Sequence, residues 1–221
     1  MYFTPIVIFV PPNDISLHQL VDRWTFGWAA ARALDVTAAD GALCVNVDAV
    51  SRRLEYVVTS PDAQQFARLV AHTAGKVDVW LTVFAPKVAP YRRLADDLEI
   101  AADDEVFMTR NIEAAPATHG ILIDTDGVRA DARLELDDTL AAIGSVAVVD
   151  SDAIFDRIET MPRFQRRGLG SQIMHALSDW AQHQGATSGL LAASGDGHHL
   201  YGRLGWQLES QMISFRGRHP R

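Results

Sequence analysis

Between Ile158 and Gly170 the chain runs from a strand-like segment through Pro162 into a helix opened by glycines at 168 and 170. Proline cannot donate to a sheet ladder, so the strand ends there. The helix, Gly168 to about Gln184, carries Leu169, Ile173, Leu177, Trp180 and Ala181 as one apolar stripe, and Gly185 closes it. A helix with one apolar stripe that follows a strand this closely must pack on a sheet, which narrows the fold to mixed α/β architectures. The junction is also a ready-made anion site. The first N–H groups of a helix are unpaired, glycines allow a phosphate close to the backbone, and Arg163, Arg166 and Arg167 add positive charge.

Two common phosphate motifs do not fit. A P-loop needs a lysine after its last glycine, where this chain has Ser171. A dinucleotide fingerprint needs a third glycine or alanine at the place of Ile173, early in a βαβ unit.

Around this junction the pattern predicts strands at Val128 to Leu136, Leu140 to Val149 and Ala153 to Thr160. After the helix it predicts a strand at Ser188 to Ala193, a short helix at His198 to Leu204 and a last strand at Gln207 to Phe215. Asp137-Asp138 and Asp150-Ser151-Asp152 suit tight β-connections. The second half therefore reads β-β-β-α-β-α-β, a hairpin-rich sheet followed by a βαβ unit. The first half begins with a strand at Met1 to Val10, stopped by Pro11-Pro12, and a helix at Ile15 to Leu34 capped by Asp14 or Ser16. Then come strands at Gly41 to Val50 and Leu54 to Thr59, a helix from Ser60-Pro61-Asp62 to Ala74, a strand at Val77 to Phe84, a short helix at Pro90 to Leu98 and a strand at Glu105 to Ile112. The stretch Ala114 to Gly120 reads as a linker.

Composition sets the outer limits. A net charge of -8 argues against general nucleic-acid binding, which needs a basic surface. No apolar stretch approaches the ~20 residues that cross a bilayer. The one cysteine, Cys44, lies in an apolar run, reads as a buried structural thiol and fits a reducing cytoplasm. The chain is expected to be soluble and cytoplasmic, with no membrane partner.

The flanks of the junction carry a resemblance. Ile158-Glu159-Thr160-Met161-Pro162-Arg163-Phe164-Gln165-Arg166-Arg167-Gly168-Leu169-Gly170 resembles motif A of the GCN5-related N-acetyltransferases (GNAT). Leu190 to Ser194, followed by Leu200-Tyr201-Gly202-Arg203-Leu204-Gly205-Trp206, resembles the family's motif B. The likeness is close over Val128 to Phe215, while the first half shares only its order of elements.

The resemblance implies a mixed, mostly antiparallel sheet flanked by helices and an enzyme that transfers an acetyl group from acetyl-CoA to a primary amine of a small molecule or protein. The main chain of Ile158 and Thr160 would pair with the pantetheine arm. The amides of Gln165, Arg166, Arg167, Gly168, Leu169, Gly170 and Ser171 would take the pyrophosphate, through main chain more than guanidinium. Tyr201 would protonate the leaving thiolate; a core aromatic is the other reading. Ser194 stands where many members have an asparagine that touches the pantetheine.

Glu159 is the first choice of general base, with Asp156 as its rival on the same strand, and a solvated strand carboxylate is the other reading of each. Adjacent on a helix, His198 and His199 are expected to point in different directions, and no zinc site is expected. Trp24, Trp28 and Trp80 could line an acceptor pocket between the halves, although core packing is the commoner fate of such tryptophans. In this reading residues 120–221 form the acetyl-CoA-binding catalytic domain. Residues 1–115 form a smaller, degenerate GNAT-like domain, with Ser60 to Gln64 in place of the glycine loop, that shapes the acceptor site or a homodimer interface. A non-catalytic acyl-CoA sensor or scaffold is the alternative.

Overall fold

The computed structural model describes residues 15–113 and 118–219. The strand expected at Met1 to Val10, the Asp14 cap and the core of the expected linker lie outside them. Helix α1, Leu17–Ala31, starts at Ser16, whose side chain accepts from the Gln19 N–H while the Gln19 side chain returns to the Ser16 backbone. A hairpin follows, β1 (Asp35–Ala39) and β2 (Ala42–Ala49), turned by Asp40 and Gly41, both at positive φ. Then come β3 (Arg52–Thr59), α2 (Ala63–Thr73), β4 (Val79–Ala85), α3 (Ala89–Leu94) and β5 (Leu98–Asn111). The second half adds β6 (Ile121–Thr125), β7 (Arg129–Leu136), β8 (Thr139–Val149), β9 (Asp152–Thr160), α4 (Leu169–His183), β10 (Ser188–Ala193), α5 (Gly195–Arg203) and β11 (Gln207–Gly217).

Strands β1 and β6 are missing from the sequence reading, and β5 starts at Leu98, where that reading ran a helix on from Pro90. Both missed strands are short and largely exposed, so neither shows the apolar alternation that betrays a half-buried strand. Their pairing partners define them.

Among the described residues all strands join one sheet, in the order β1-β2-β3-β4-β11-β5-β10-β9-β8-β7-β6. Only β3–β4 and β9–β10 are parallel. The order is nearly palindromic. In each half an antiparallel run leads into a parallel pair, β3–β4 or β9–β10, and then a last strand, β5 or β11. These last strands are exchanged: β5 lies beside β10 of the second half, and β11 lies beside β4 of the first. They also pair with each other at the centre of the sheet.

Helices α2, α4 and α5 pack on one face over two cores. Phe66, Leu69 and Val70 of α2 meet Leu81, Val83, Ile213 and Phe215. Ile173, Met174 and Leu177 of α4 join Phe155, Val146, Leu191 and Tyr201. On the opposite face α1 contacts both wings of the sheet, β1–β3 and β8–β10. Trp24 and Trp28 pack there on Phe84, Phe107, Ile154, Leu190 and Met212. The approach is close at Gly27, where a Cβ would come 2.6 Å from Ile154 Cδ1. The first half thus supplies the helix that covers the second half's sheet. Among the described residues no helix is long and apolar enough to cross a membrane.

Candidate functional site

Strands β9 and β10 pair from Asp152↔Ser188 to Phe155↔Leu191 and then part. Their separation coincides with a bulge: Arg157 has φ 54, and the β8–β9 register shifts between Ile143↔Glu159 and Ser145↔Asp156. Beyond the bulge the backbone direction can be derived. The Met161 N–H donates to the Ala141 carbonyl across β8 at 2.9 Å. Strand residues alternate the side on which they hydrogen-bond, so Glu159 also addresses β8 while Ile158 and Thr160 turn their N–H and C=O toward the gap. At the end of this edge the Thr160 carbonyl accepts from Gln165 Nε2 at 3.3 Å.

The chain then makes a single 3-10 turn, Pro162–Phe164. Phe164, 5% exposed, anchors it, and the guanidiniums of Arg163 and Arg167 lie 4.9 and 5.5 Å from its ring centre. Arg166 at φ 64 and Gly168 at φ 76 turn the backbone into α4. Gly168 is the N-cap of α4, and no side chain caps the helix. Among the described residues nothing accepts the N–H of Arg166, Arg167 or Gly168, and the first amide to find a main-chain partner is Gln172, on the Gly168 carbonyl at 3.2 Å. A run of unpaired amides therefore faces outward beside the gap. At Gly170 a Cβ would lie 3.1 Å from Leu200 Cδ2 and 3.5 Å from Thr160 Oγ1, so any side chain there would narrow the passage between loop, strand and α5.

The matching place in the first half is shut. Strands β3 and β4 stay paired to Thr59↔Phe84, and the Ser60 N–H continues the ladder to the Phe84 carbonyl at 2.8 Å. The N-cap of α2 is Asp62, whose carboxylate accepts from the Gln65 N–H at 2.8 Å. A side chain thus satisfies this helix start that α4 leaves open.

Tyr201 comes from α5 on the α4 side of the sheet, 7% exposed, with Trp206 at 6.0 Å. Its hydroxyl has no hydrogen-bond partner among the described residues. Burial, reinforced by the negative charge of Asp156, pushes its pKa up to about 12, so it stays protonated and able to donate.

On the α1 side a small cavity of about 40 Å³ lies at the point of separation, lined by Trp24, Trp28, Ile154, Phe155, Asp156 and Ala192. The Asp156 carboxylate is held by Arg32 from the end of α1 and accepts from the Arg157 N–H at 2.9 Å. Arg32 and Arg52 both lie 5.3 Å from the Trp28 ring centre. Trp24 and Trp28 are core residues and cavity wall at once. Trp80 is half-buried beneath Arg52, at 4.8 Å.

The residues read from the two motifs gather around one gap. Ile158 and Thr160 edge it, Gln165 to Ser171 form its rim, and Tyr201 closes one face. Glu159 is exposed beyond the bulge. Ser194 caps α5, its hydroxyl accepting from the Gly197 N–H at 3.3 Å. The rings of His198 and His199 stack, 5.8 Å apart, which corrects the expectation that they diverge. The sequence reading singles out neither Arg32 nor Glu105 as a site residue: Arg32 arrives through its pairing with Asp156, 124 residues away, and Glu105 through the exchange of β5 onto β10.

No curated protein matches this chain in sequence. Solved structures do match in fold. A GCN5-related N-acetyltransferase from Kribbella flavida superposes with a TM-score of 0.62 at 12% identity, over 91% of this chain and 96% of that one. A GCN5-related N-acetyltransferase from Sphaerobacter thermophilus gives 0.53 at 10% identity, over 80% and 76%. An acetyltransferase of the GNAT family from Colwellia psychrerythraea gives 0.51 at 13% identity, over 92% of both chains. At these identities the likeness is one of fold. The sequence model of the acetyltransferase (GNAT) family matches residues 93–206, just over half of the chain, including β9, the loop into α4, β10 and Tyr201 but not the α1 side of the site. The chain therefore belongs to the acetyltransferase (GNAT) family and, with it, to the N-acetyltransferases.

Proposed function

We propose that this chain transfers the acetyl group of acetyl-CoA to the primary amine of an acceptor that approaches from the α1 side of the sheet. The observation that carries this reading is the pairing of an opened strand edge with an uncapped helix start. The β9–β10 gap ends at Phe155↔Leu191 beside the free N terminus of α4. An extended amide-bearing arm can add to the edge at Ile158 and Thr160 as a strand would. A pyrophosphate fits the amides of Arg166, Arg167, Gly168, Leu169, Gly170 and Ser171, with the Gln165 N–H, which donates to the Pro162 carbonyl at 3.4 Å, at the edge of the run. Acetyl-CoA supplies both groups and an activated thioester.

Tyr201, held neutral by burial, is the acid for the departing thiolate. Ser194 serves the site by starting α5, which carries Tyr201. Asp156 is tied to Arg32, so it is not an uncommitted base, and Glu159 is open to solvent. The first half, residues 1–115, acts as a closed counterpart of residues 120–221 and contributes α1 as the roof of the acceptor side. A single buried Cys44 suits the cytoplasm.

Thiol release from acetyl-CoA, measured with a panel of amines, tests the reading. Release that depends on an amine, and that a Gly168→Trp variant loses, is the expected result. Equal release from that variant would move the cofactor off this loop.

A further inference from the structure

Resting on the acetyl-transfer reading above, we infer that Glu105 of β5 is the group that takes the proton from the acceptor's ammonium, so that the exchanged strand carries the catalytic base into the other half's site. Register sets its position. Phe107 pairs with Ala192 and Val106 with Ala193, the last residue of β10; Glu105 therefore lies just past the end of β10, across that strand from the gap. Glu105 pairs with Met212 on its other side. Phe107 and Met212 both belong to the core under α1, and residues two apart or directly cross-strand share a face. Glu105 thus faces the α1 side, as Asp156 and the cavity-lining Ala192 do. It is a diagonal neighbour of Ala192, with roughly 7–8 Å between Cα atoms, a distance a glutamate side chain and an amine can bridge.

Its availability distinguishes it from the other carboxylates there. Asp156 is bound by Arg32. Glu55, 1% exposed, is bound by Arg52 and accepts from Thr82 Oγ1 at 2.6 Å. Glu105 makes no hydrogen bond or ion pair among the described residues. Burial pushes its carboxyl above the usual carboxylate range; nearby Arg52 opposes this, while Asp104 and Glu55 add to it. The Asp156–Arg32 pair lies on the same face of the sheet. A raised carboxyl is a better match to an amine's proton than an exposed one.

Protons and bonds balance as follows. The Glu105 carboxylate takes one proton from R–NH3+ and later returns it to solvent. The neutral nitrogen attacks the thioester carbon, forming C–N, and the C–S bond breaks. The thiolate takes the Tyr201 proton, and the second amine proton, lost as the amide forms, restores Tyr201. The sum is N-acetyl-amine, free thiol and one released proton.

The test compares wild type with Glu105→Gln using acetyl-CoA and spermidine, L-lysine or water alone as acceptor. Glu105→Gln is expected to keep its thermal stabilisation by acetyl-CoA while kcat/KM falls about 10²–10⁴-fold and the acid limb of the pH profile disappears. In wild type labelled at glutamate carboxyl carbons, the resonance missing from Glu105→Gln should titrate above the others and move when CoA binds. Turnover by Glu105→Gln within a few-fold of wild type, a persisting acid limb, or a resonance that ignores CoA overturns the assignment alone. Stabilisation by acetyl-CoA without thiol release from any acceptor overturns it together with the enzymatic reading. A wild type that acetyl-CoA does not stabilise sinks the cofactor site itself.

Discussion

Phe155 pairs with Leu191, and beyond them β9 and β10 part, whereas Thr59 still pairs with Phe84 at the corresponding point of the first half. One chain thus holds an open and a closed version of the same strand–loop–helix junction. The loops explain the difference. Asp62 caps α2 through the Gln65 N–H, while α4 begins on an uncapped Gly168.

Tyr201 sets an expected alkaline signature. Its pKa is raised to about 12 from 10.0, first by burial and then by Asp156. A folded-state pKa above the unfolded one means that the native state holds the proton more tightly. The associated stability is fully present below about pH 10 and is lost as pH rises toward about 12. The loss is roughly 2–3 kcal/mol. Tyr201→Phe, which keeps the packing, should remove that component, so that wild type loses stability relative to Tyr201→Phe over this window in chemical denaturation. A parallel pH dependence of both would show that the hydroxyl titrates normally. Acetyl transfer by Tyr201→Phe should fall with acetyl-CoA binding unchanged.

Arg23 ties α1 to β9. Its Nε lies 2.7 Å from Asp152 Oδ2, and its guanidinium also meets the second carboxylate oxygen. Asp152 is 6% exposed. Removing the cation leaves a nearly buried carboxylate unpaired, so Arg23→Ala should cost about 2–3 kcal/mol, the lower side for such pairs because water still reaches Arg23. Urea unfolding measures this, and Arg23→Ala with Asp152→Asn should recover part of it. A loss below about 0.5 kcal/mol would mean that the pair does not hold the helix.

The exchange of β5 and β11 predicts that neither half folds alone. Residues 118–221 expressed without β5 would leave unpaired edges on both β10 and β11, an invitation to aggregation. Co-expression of residues 1–113 and 118–221 should give a soluble complex, and 118–221 by itself should be insoluble or unfolded by circular dichroism. A folded, monomeric 118–221 would contradict the interdependence of the halves.

The local parts of this fold were legible in the sequence, because glycine, proline and apolar period act over a few residues. Gly168, Pro162 and the Leu169–Ile173–Leu177 stripe specify the strand end, the turn and α4 with no partner in view. Ser16 and Gln19 specify the start of α1. The family motifs likewise pointed to Tyr201, Ile158 and Thr160 before any strand pairing was known. Long-range pairing was not legible. Nothing near Glu105 tells that it will pair with Met212 from the far end of the chain and lie beside Ala192. Arg32 meets Asp156 only because α1 crosses to the other half's sheet. The exposed strands β1 and β6 carry no alternation to read, and only their neighbours make them strands.

The most direct test of the account is the thermal stability of the protein titrated with acetyl-CoA, free CoA and dephospho-CoA, in wild type, Gly168→Trp and Asp62→Ala. A ligand bound only by the native state stabilises it by about 2.7 kcal/mol at a hundredfold excess over Kd. Wild type and Asp62→Ala should show the same ligand-induced rise, even though loss of its cap costs Asp62→Ala about 1 kcal/mol of basal stability. Gly168→Trp should show none. A rise that survives Gly168→Trp, or disappears in Asp62→Ala, would contradict the assignment of the cofactor to the open junction.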